Sequence, residues 1–176
     1  MPHLIVIYGA PLTGKSSLAR AVAQALGDKS AVVSVDGLLD DAIRVHDRDA
    51  FAELEMVYTQ ARLLVANYLK NRYHVVLEGT FLHEREGVVH AREQEIDQIQ
   101  GLMRNLALSP LTVRLTAAEP TLRLRAEAAQ THRDLAALLR IDAAYRSRYG
   151  SRALELSTDE ARVEDLAAEV LRRLQA

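Results

Sequence analysis

Five short apolar runs alternate with longer stretches in which apolar residues recur every three or four positions. The first run, Leu4-Ile5-Val6-Ile7-Tyr8, is continuous and stops at Gly9, as expected of a strand covered on both faces in a parallel sheet. Leu18, Val22 and Leu26 then predict a helix from Ser16 to Leu26, closed by Gly27 where a left-handed residue is favoured. Ala31 to Val35 predicts a second strand ending at Asp36-Gly37, and Phe51, Leu54, Tyr58, Ala61, Val65 and Tyr68 stripe a long helix from about Ala50 to Lys70. His74 to Glu78 reads as a third strand stopped by Gly79. A polar helix carrying Ile96, Ile99, Met103 and Leu106 leads to Pro110, and Leu111 to Leu115 is the fourth strand. Helices at about Pro120–Ala129 and Leu135–Tyr145 precede a weak fifth strand, Ala153 to Leu156. The chain closes on a helix striped by Val163, Leu166, Val170, Leu171 and Leu174, with Ser157 and Glu160 at capping-box spacing before it.

Strands alternating with helices imply an α/β domain whose parallel sheet is covered on both faces. In such sheets the chemistry gathers beyond the carboxyl ends of the strands. The loops to examine therefore start at Gly9, Asp36, Gly79 and Thr116. A length of 176 residues, with no repeat and no Pro/Gly-rich linker, fits one domain over 1–176 with a small lid around 120–140. A formal charge of −2, from 22 basic and 24 acidic residues, speaks against a broad basic face for nucleic acid. The absence of cysteine excludes disulfides, thiolate metal sites and cysteine nucleophiles. No apolar run is long enough for a membrane span, so the expected compartment is the cytoplasm.

The first loop carries the chemistry. Gly9-Ala10-Pro11-Leu12-Thr13-Gly14-Lys15-Ser16, followed by Ser17, fits G-x-x-x-x-G-K-[ST] between a strand and a helix. Glycines at its ends let successive amides turn inward around an anion, and the helix adds its positive N-terminal end. Lys15 would reach the β- and γ-phosphates and Ser16 would hold Mg²⁺. The pattern is that of a P-loop. No N-K-x-D motif for guanine is present, and the chain is short for a motor with its helical lid domain.

A kinase also needs a group that orients or deprotonates its acceptor. Asp36, at the end of the second strand, is the candidate base; its alternative role is to cap a helix beginning Gly37-Leu38-Leu39. Glu78, ending the third strand, is placed to hold Mg²⁺ through water or to polarise the nucleophile. Thr80, Phe81 and Leu82 form either one wall of an acceptor pocket or part of the core. Among the arginines beyond the fourth strand, Arg125 and Arg133 are the candidates to stabilise the transferring phosphoryl group, because Gln130-Thr131-His132-Arg133 interrupts the apolar stripe like a lid turn. Arg123 points to another side of its helix, and His83, His90 and His132 lack partners at metal-ligand spacing.

Gly9 to Ser17, Val35-Asp36-Gly37-Leu38-Leu39 and Val75 to Leu82 together resemble the small-molecule P-loop kinases related to chloramphenicol phosphotransferase and the zeta toxins. The Gly14–Arg20 run, G-K-S-S-x-A-R, followed by V-D-x-L-L, is similar to the antibiotic kinases; Leu77-Glu78-Gly79-Thr80 is similar to the zeta toxins. The resemblance implies an adenylate-kinase-like sheet in the order 2-3-1-4-5, ATP with Mg²⁺ as donor, Asp36 as catalytic aspartate and Glu78 at an acidic position. It covers the second half only by layout. The arginine-rich lid run of the antibiotic kinases is missing; Thr131-His132-Arg133-Asp134 occupies that region, and no substrate residue carries over.

The expectation is an ATP-dependent phosphotransferase acting on a hydroxyl of a small molecule. The rival readings are a kinase of nucleotide or polynucleotide 5′-hydroxyls and a nucleotide-binding regulatory module without turnover. The acceptor, the choice between ATP and GTP, and the oligomeric state stay open.

Overall fold

A computed structural model of the chain describes residues 1–42, 51–85, 88–91, 110–129, 135–149 and 153–175. The elements are β1 (Leu4–Gly9), α1 (Lys15–Leu26), β2 (Ser30–Ser34), a helical turn at Val35–Gly37 continued by a wider one at Leu38–Ala42, α2 (Phe51–Lys70), β3 (His74–Gly79), β4 (Leu82–Arg85), β5 (Val88–Ala91), β6 (Leu111–Thr116), α3 (Glu119–Ala128), α4 (Leu135–Tyr149), β7 (Leu154–Ser157) and α5 (Val163–Leu174). Five strands pair in parallel in the order β2-β3-β1-β6-β7. This is the expected 2-3-1-4-5 arrangement, with the last two labels displaced by an inserted hairpin. That hairpin, β4 against β5, runs antiparallel with Leu82 opposite Ala91 and Arg85 opposite Val88. Neither Leu82-His83-Glu84-Arg85 nor Val88-Val89-His90-Ala91 alternates apolar with polar residues, so no period announced them.

β1 is central and every one of its residues is buried, which explains its unbroken apolar run. Alternate residues then divide between two cores. Leu4, Val6, Tyr8, Val75 and Leu77 pack with α2 and α4 through Val57, Tyr58, Ala61, Val65, Ile141 and Tyr145. Ile5, Ile7, Val76, Val113 and Leu115 pack with α1 and α5 through Leu18, Val22, Leu166 and Val170. The helix stripes read from the sequence are thus the faces laid on the sheet.

Several boundaries differ from expectation. β2 stops at Ser34, whose hydroxyl accepts from the Gly37 amide at 3.0 Å and caps the turn there. Asp36 is therefore not the cap. Nor do Ser157 and Glu160 form a capping box. Ser157 is the last residue of β7, its hydroxyl donates to Asp159 Oδ2 at 2.7 Å, and α5 begins only after Arg162, with no side-chain cap. The strand held Ser157, so the helix started later. Gly27 does follow α1 with φ +92°, but its ψ of −167° lies outside the left-handed helical well. The helix expected around Ile96 to Leu106 and the lid turn at Thr131-His132-Arg133 lie outside the described residues. No helix among the described residues is long and apolar enough to cross a membrane.

Candidate active site

The loop between β1 and α1 is shaped by three backbone requirements. A Cβ on Gly9 would sit 2.5 Å from the Leu115 carbonyl oxygen on β6, so only glycine lets the chain leave the sheet so closely. Leu12 (φ +66°) and Gly14 (φ +90°) turn left-handed, folding the chain back on itself. The buried Thr13 hydroxyl donates to the Ala10 carbonyl at 2.8 Å and fastens the turn, with Ala10 and Pro11 buried beneath. α1 begins at once: Gly14 is its N-cap and the Gly14 carbonyl accepts from the Leu18 amide at 3.0 Å. The first-turn amides of a helix have no acceptor within it, so the start of α1 offers the loop a site for an anion.

Lys15 is 5% exposed, and its Nζ donates to the Ala10 carbonyl at 3.1 Å and lies 3.8 Å from Asp36 Oδ2. Ser16 donates from its hydroxyl to Glu78 Oε1 at 3.2 Å. Strand alternation brings these two together, since Glu78 shares with Val76 the face that α1 covers. Glu78 is only 1% exposed and its second oxygen, Oε2, is buried without a hydrogen-bond partner. A buried carboxylate oxygen left over beside a hydroxyl is a donor set for a hard, oxygen-seeking cation, and these residues fit Mg²⁺. Among the described residues no group of three or more His, Asp or Glu side chains forms another cation site.

Asp36 completes the cluster. Its Oδ1 accepts from the Thr80 amide at 3.0 Å and its Oδ2 from the Thr80 hydroxyl at 3.2 Å. Thr80, expected either as a wall of the acceptor pocket or as core, is only partly buried and engages Asp36 with its hydroxyl. Of the two roles open to Phe81, the structure places it in the core. Its ring is fully buried and stacked near Tyr58, with centroids 6.1 Å apart, and its amide donates to the Tyr145 hydroxyl at 2.9 Å. Tyr145, on α4, was not anticipated; it pins the loop after β3 and its ring leans on Tyr8, centroids 5.2 Å apart. The Tyr8 hydroxyl is pushed up to about 12, mainly by burial, with Arg114 pulling the other way and Glu155 adding to the rise. These charges pair directly: Arg114 on β6 bonds Glu155 on β7.

Arg125 lies elsewhere than expected. Its guanidinium donates from Nη1 to the Leu12 carbonyl (3.0 Å) and the Thr158 hydroxyl (2.9 Å), and from Nη2 to the Thr158 carbonyl (2.7 Å). It is thus clamped on the phosphate loop's flank, between Leu12 and Thr158. With Leu12, Gly14, Ser17, Thr158 and Val163 it lines a cavity of about 300 Å³. The loop after β7 that supplies Thr158 is the one strand end the sequence reading passed over. Asp159 ties this loop to the neighbouring one by accepting from the Ala118 amide at 2.8 Å, and the Ser157 hydroxyl and that amide hold its carboxyl below the usual carboxylate range. Arg123 pairs with Glu119 in solvent. Arg133 lies outside the described residues.

No curated protein matches the sequence. Solved structures do share its fold. Shikimate kinase from Acinetobacter baumannii is 16% identical with a TM-score of 0.65, covering 99% of this chain and 94% of that one. A gluconokinase from Sinorhizobium meliloti is 19% identical, with a TM-score of 0.62 and coverage of 99% and 92%. The APS kinase CysC of Mycobacterium tuberculosis is 15% identical, with a TM-score of 0.64 and coverage of 99% and 98%. The architecture expected from the P-loop and the strand order is therefore that of the small P-loop kinases. Residues 4–148, from the start of β1 almost to the end of α4, match the AAA_33 family, described as an AAA domain. By this match the chain belongs to the AAA_33 family.

Proposed function

We propose that the protein is an ATP-dependent phosphotransferase that moves the γ-phosphoryl group of ATP to a hydroxyl of a small molecule. The observation that carries this reading is the meeting of Lys15, Ser16, Glu78 and Asp36, from three strand ends, at one edge of the sheet. The loop amides and Lys15 would bind the β- and γ-phosphates. Ser16 and Glu78 would hold Mg²⁺, which offsets charge on the phosphates when bound. Asp36, whose side chain is 42% exposed, is reachable by an acceptor and takes its hydroxyl proton. A binding module without turnover has no use for such a carboxylate beside the phosphate lysine. The shared fold of three kinases of small molecules supports the same class of acceptor.

Arg125 contributes differently from first expectation. Three hydrogen bonds hold its guanidinium, and Arg125 lines the cavity with Ser17 and Thr158. That wall suits a nucleoside base, which stacks on a flat cation. Arg133 remains the arginine assigned to the transferring phosphoryl group, from the lid around 120–140.

The test is incubation with ATP and Mg²⁺ against a panel of sugar, nucleoside and antibiotic alcohols, following ADP and phosphorylated product. Transfer to one or more of these, lost in Asp36→Asn, is expected. An Asp36→Asn variant that transfers at the wild-type rate would show the base to be another group.

A further inference from the structure

Thr80 follows β3 directly and reaches Asp36 twice, from its amide to Oδ1 at 3.0 Å and from its hydroxyl to Oδ2 at 3.2 Å. The same hydroxyl oxygen lies 3.5 Å from the carbonyl oxygen of Gly9, the first residue of the phosphate loop. A threonine hydroxyl has one hydrogen to donate and two lone pairs to accept with. Asp36 Oδ2 and the Gly9 carbonyl therefore compete for a single hydrogen. The two carboxylate oxygens are also unequal. Oδ1 faces an amide, which can only donate, whereas Oδ2 faces a hydroxyl, which can donate or accept.

We propose that Thr80 is the positioning residue of the base: its hydroxyl holds the Asp36 carboxylate before transfer and reverses its hydrogen bond once Oδ2 carries the proton. The proposal rests on Asp36 being the base. In the transfer step the acceptor's O–H bond breaks, and its oxygen forms a new bond to the γ-phosphorus. The bond from that phosphorus to the β–γ bridging oxygen breaks, and its electron pair leaves with ADP. The proton goes to Oδ2. Oδ1 is then the carbonyl oxygen of a carboxylic acid and keeps its bond from the amide. The new Oδ2–H donates to the Thr80 hydroxyl oxygen, and the threonine's own hydrogen turns to the Gly9 carbonyl. Oδ1, Oδ2 and the Thr80 hydroxyl each have a partner in both states. The charged groups around this carboxylate are Lys15 from α1, with Nζ 3.8 Å from Oδ2, Glu78 from β3, which is turned to Ser16, and the exposed Asp40 and Asp41 on the turn that follows.

The experiment compares the wild type with Thr80→Val, which keeps the shape and removes the hydroxyl, and with Thr80→Ser, which restores the hydroxyl. Turnover of ATP with Mg²⁺ is read as phosphate release with water as acceptor. Thr80→Val is expected to lower kcat about tenfold or more, with KM for ATP changed less than about twofold. Thr80→Ser returns kcat towards wild type. A role in packing alone would be met by valine, which fills the same space, and not by serine, so a Thr80→Val variant with wild-type kcat, or a folded Thr80→Ser variant as slow as Thr80→Val, overturns the proposal. Wild-type turnover in Asp36→Asn overturns the base reading and this one with it. Loss of turnover in Asp36→Asn beside wild-type turnover in Thr80→Val overturns only the part given to Thr80.

Discussion

The phosphate side of the candidate site and its acceptor side are assembled in opposite ways. Gly9 to Ser17 is one unbroken stretch whose fastening bonds are local: Thr13 to Ala10 across three positions and Lys15 to Ala10 across five. The acceptor side is stitched from distant segments. Asp36 is held by Thr80, 44 positions away, and the next amide, Phe81, donates to the Tyr145 hydroxyl across 64 positions. The first region states its chemistry in the spacing of its residues. In the second, residue types are ordinary and only their neighbours give them a task.

The largest effects should come from the groups on which the two sides meet. Lys15→Ala removes the only charge aimed into the phosphate loop by its own sequence, and ATP turnover should fall about 10²–10³-fold. Asp36→Asn should cost at least about 10²-fold in phosphoryl transfer while ATP affinity, measured by calorimetry, stays within a few-fold. If Asp36→Asn weakened ATP binding as much as Lys15→Ala does, the division into phosphate and acceptor sides would fail.

Backbone shape sharpens the contrast next. Gly9→Ala forces a Cβ to within 2.5 Å of the Leu115 carbonyl and should destabilise the fold by about 2–3 kcal/mol in thermal or denaturant melts. Gly14→Ala meets nothing within 4 Å but retains a φ of +90°, so it should cost only about 1–2 kcal/mol. The reverse order would mean that conformation, not contact with β6, sets the requirement for glycine. Arg125→Ala should raise KM for ATP about tenfold with kcat little changed. A fall in kcat at constant KM would return Arg125 to the transferring phosphoryl group.

The smallest effect belongs to a region far from both sides. His74, at the start of β3, stacks on His3 with ring centroids 5.1 Å apart and accepts from the His3 amide at 3.2 Å. Burial, then the His3 ring and the N-terminal amine, lower its pKa below 6.5. Between that lowered value and 6.5 the unfolded chain binds more protons than the folded one, so stability rises with pH in this window. The contribution is complete above 6.5 and is lost as pH falls through the folded value. His74→Asn should lose less melting temperature than wild type between about pH 7 and pH 5. Equal losses would place the acid sensitivity in other groups.

Legibility followed the same division. β1, α1, β3 and the stripe of α2 could be read because burial on both faces leaves a strand continuously apolar and burial of one face gives a helix a period of 3.6. The β4–β5 hairpin could not, because neither Leu82 to Arg85 nor Val88 to Ala91 is continuously apolar or alternating. Asp36 stands out by its place at a strand end, but the alternative given to it, capping a helix, belongs to Ser34. Caps are decided by whichever hydroxyl or carboxylate the local geometry brings within reach, and two candidates two residues apart look alike in a sequence. Thr158 was missed because a threonine after a weak strand carries no motif; it acquires a role only when Arg125 folds across to it.

By itself the sequence determined the α/β layering, the phosphate loop and the strand ends where chemistry would gather. Each of these depends on residues close along the chain, where backbone preference and apolar period act directly. Only the tertiary structure decided that Thr80 serves Asp36, that Phe81 is core, and that Arg125 walls a cavity. Those roles arise from hydrogen bonds and packing between segments that the parallel sheet brings together, and no local pattern encodes which partner will arrive.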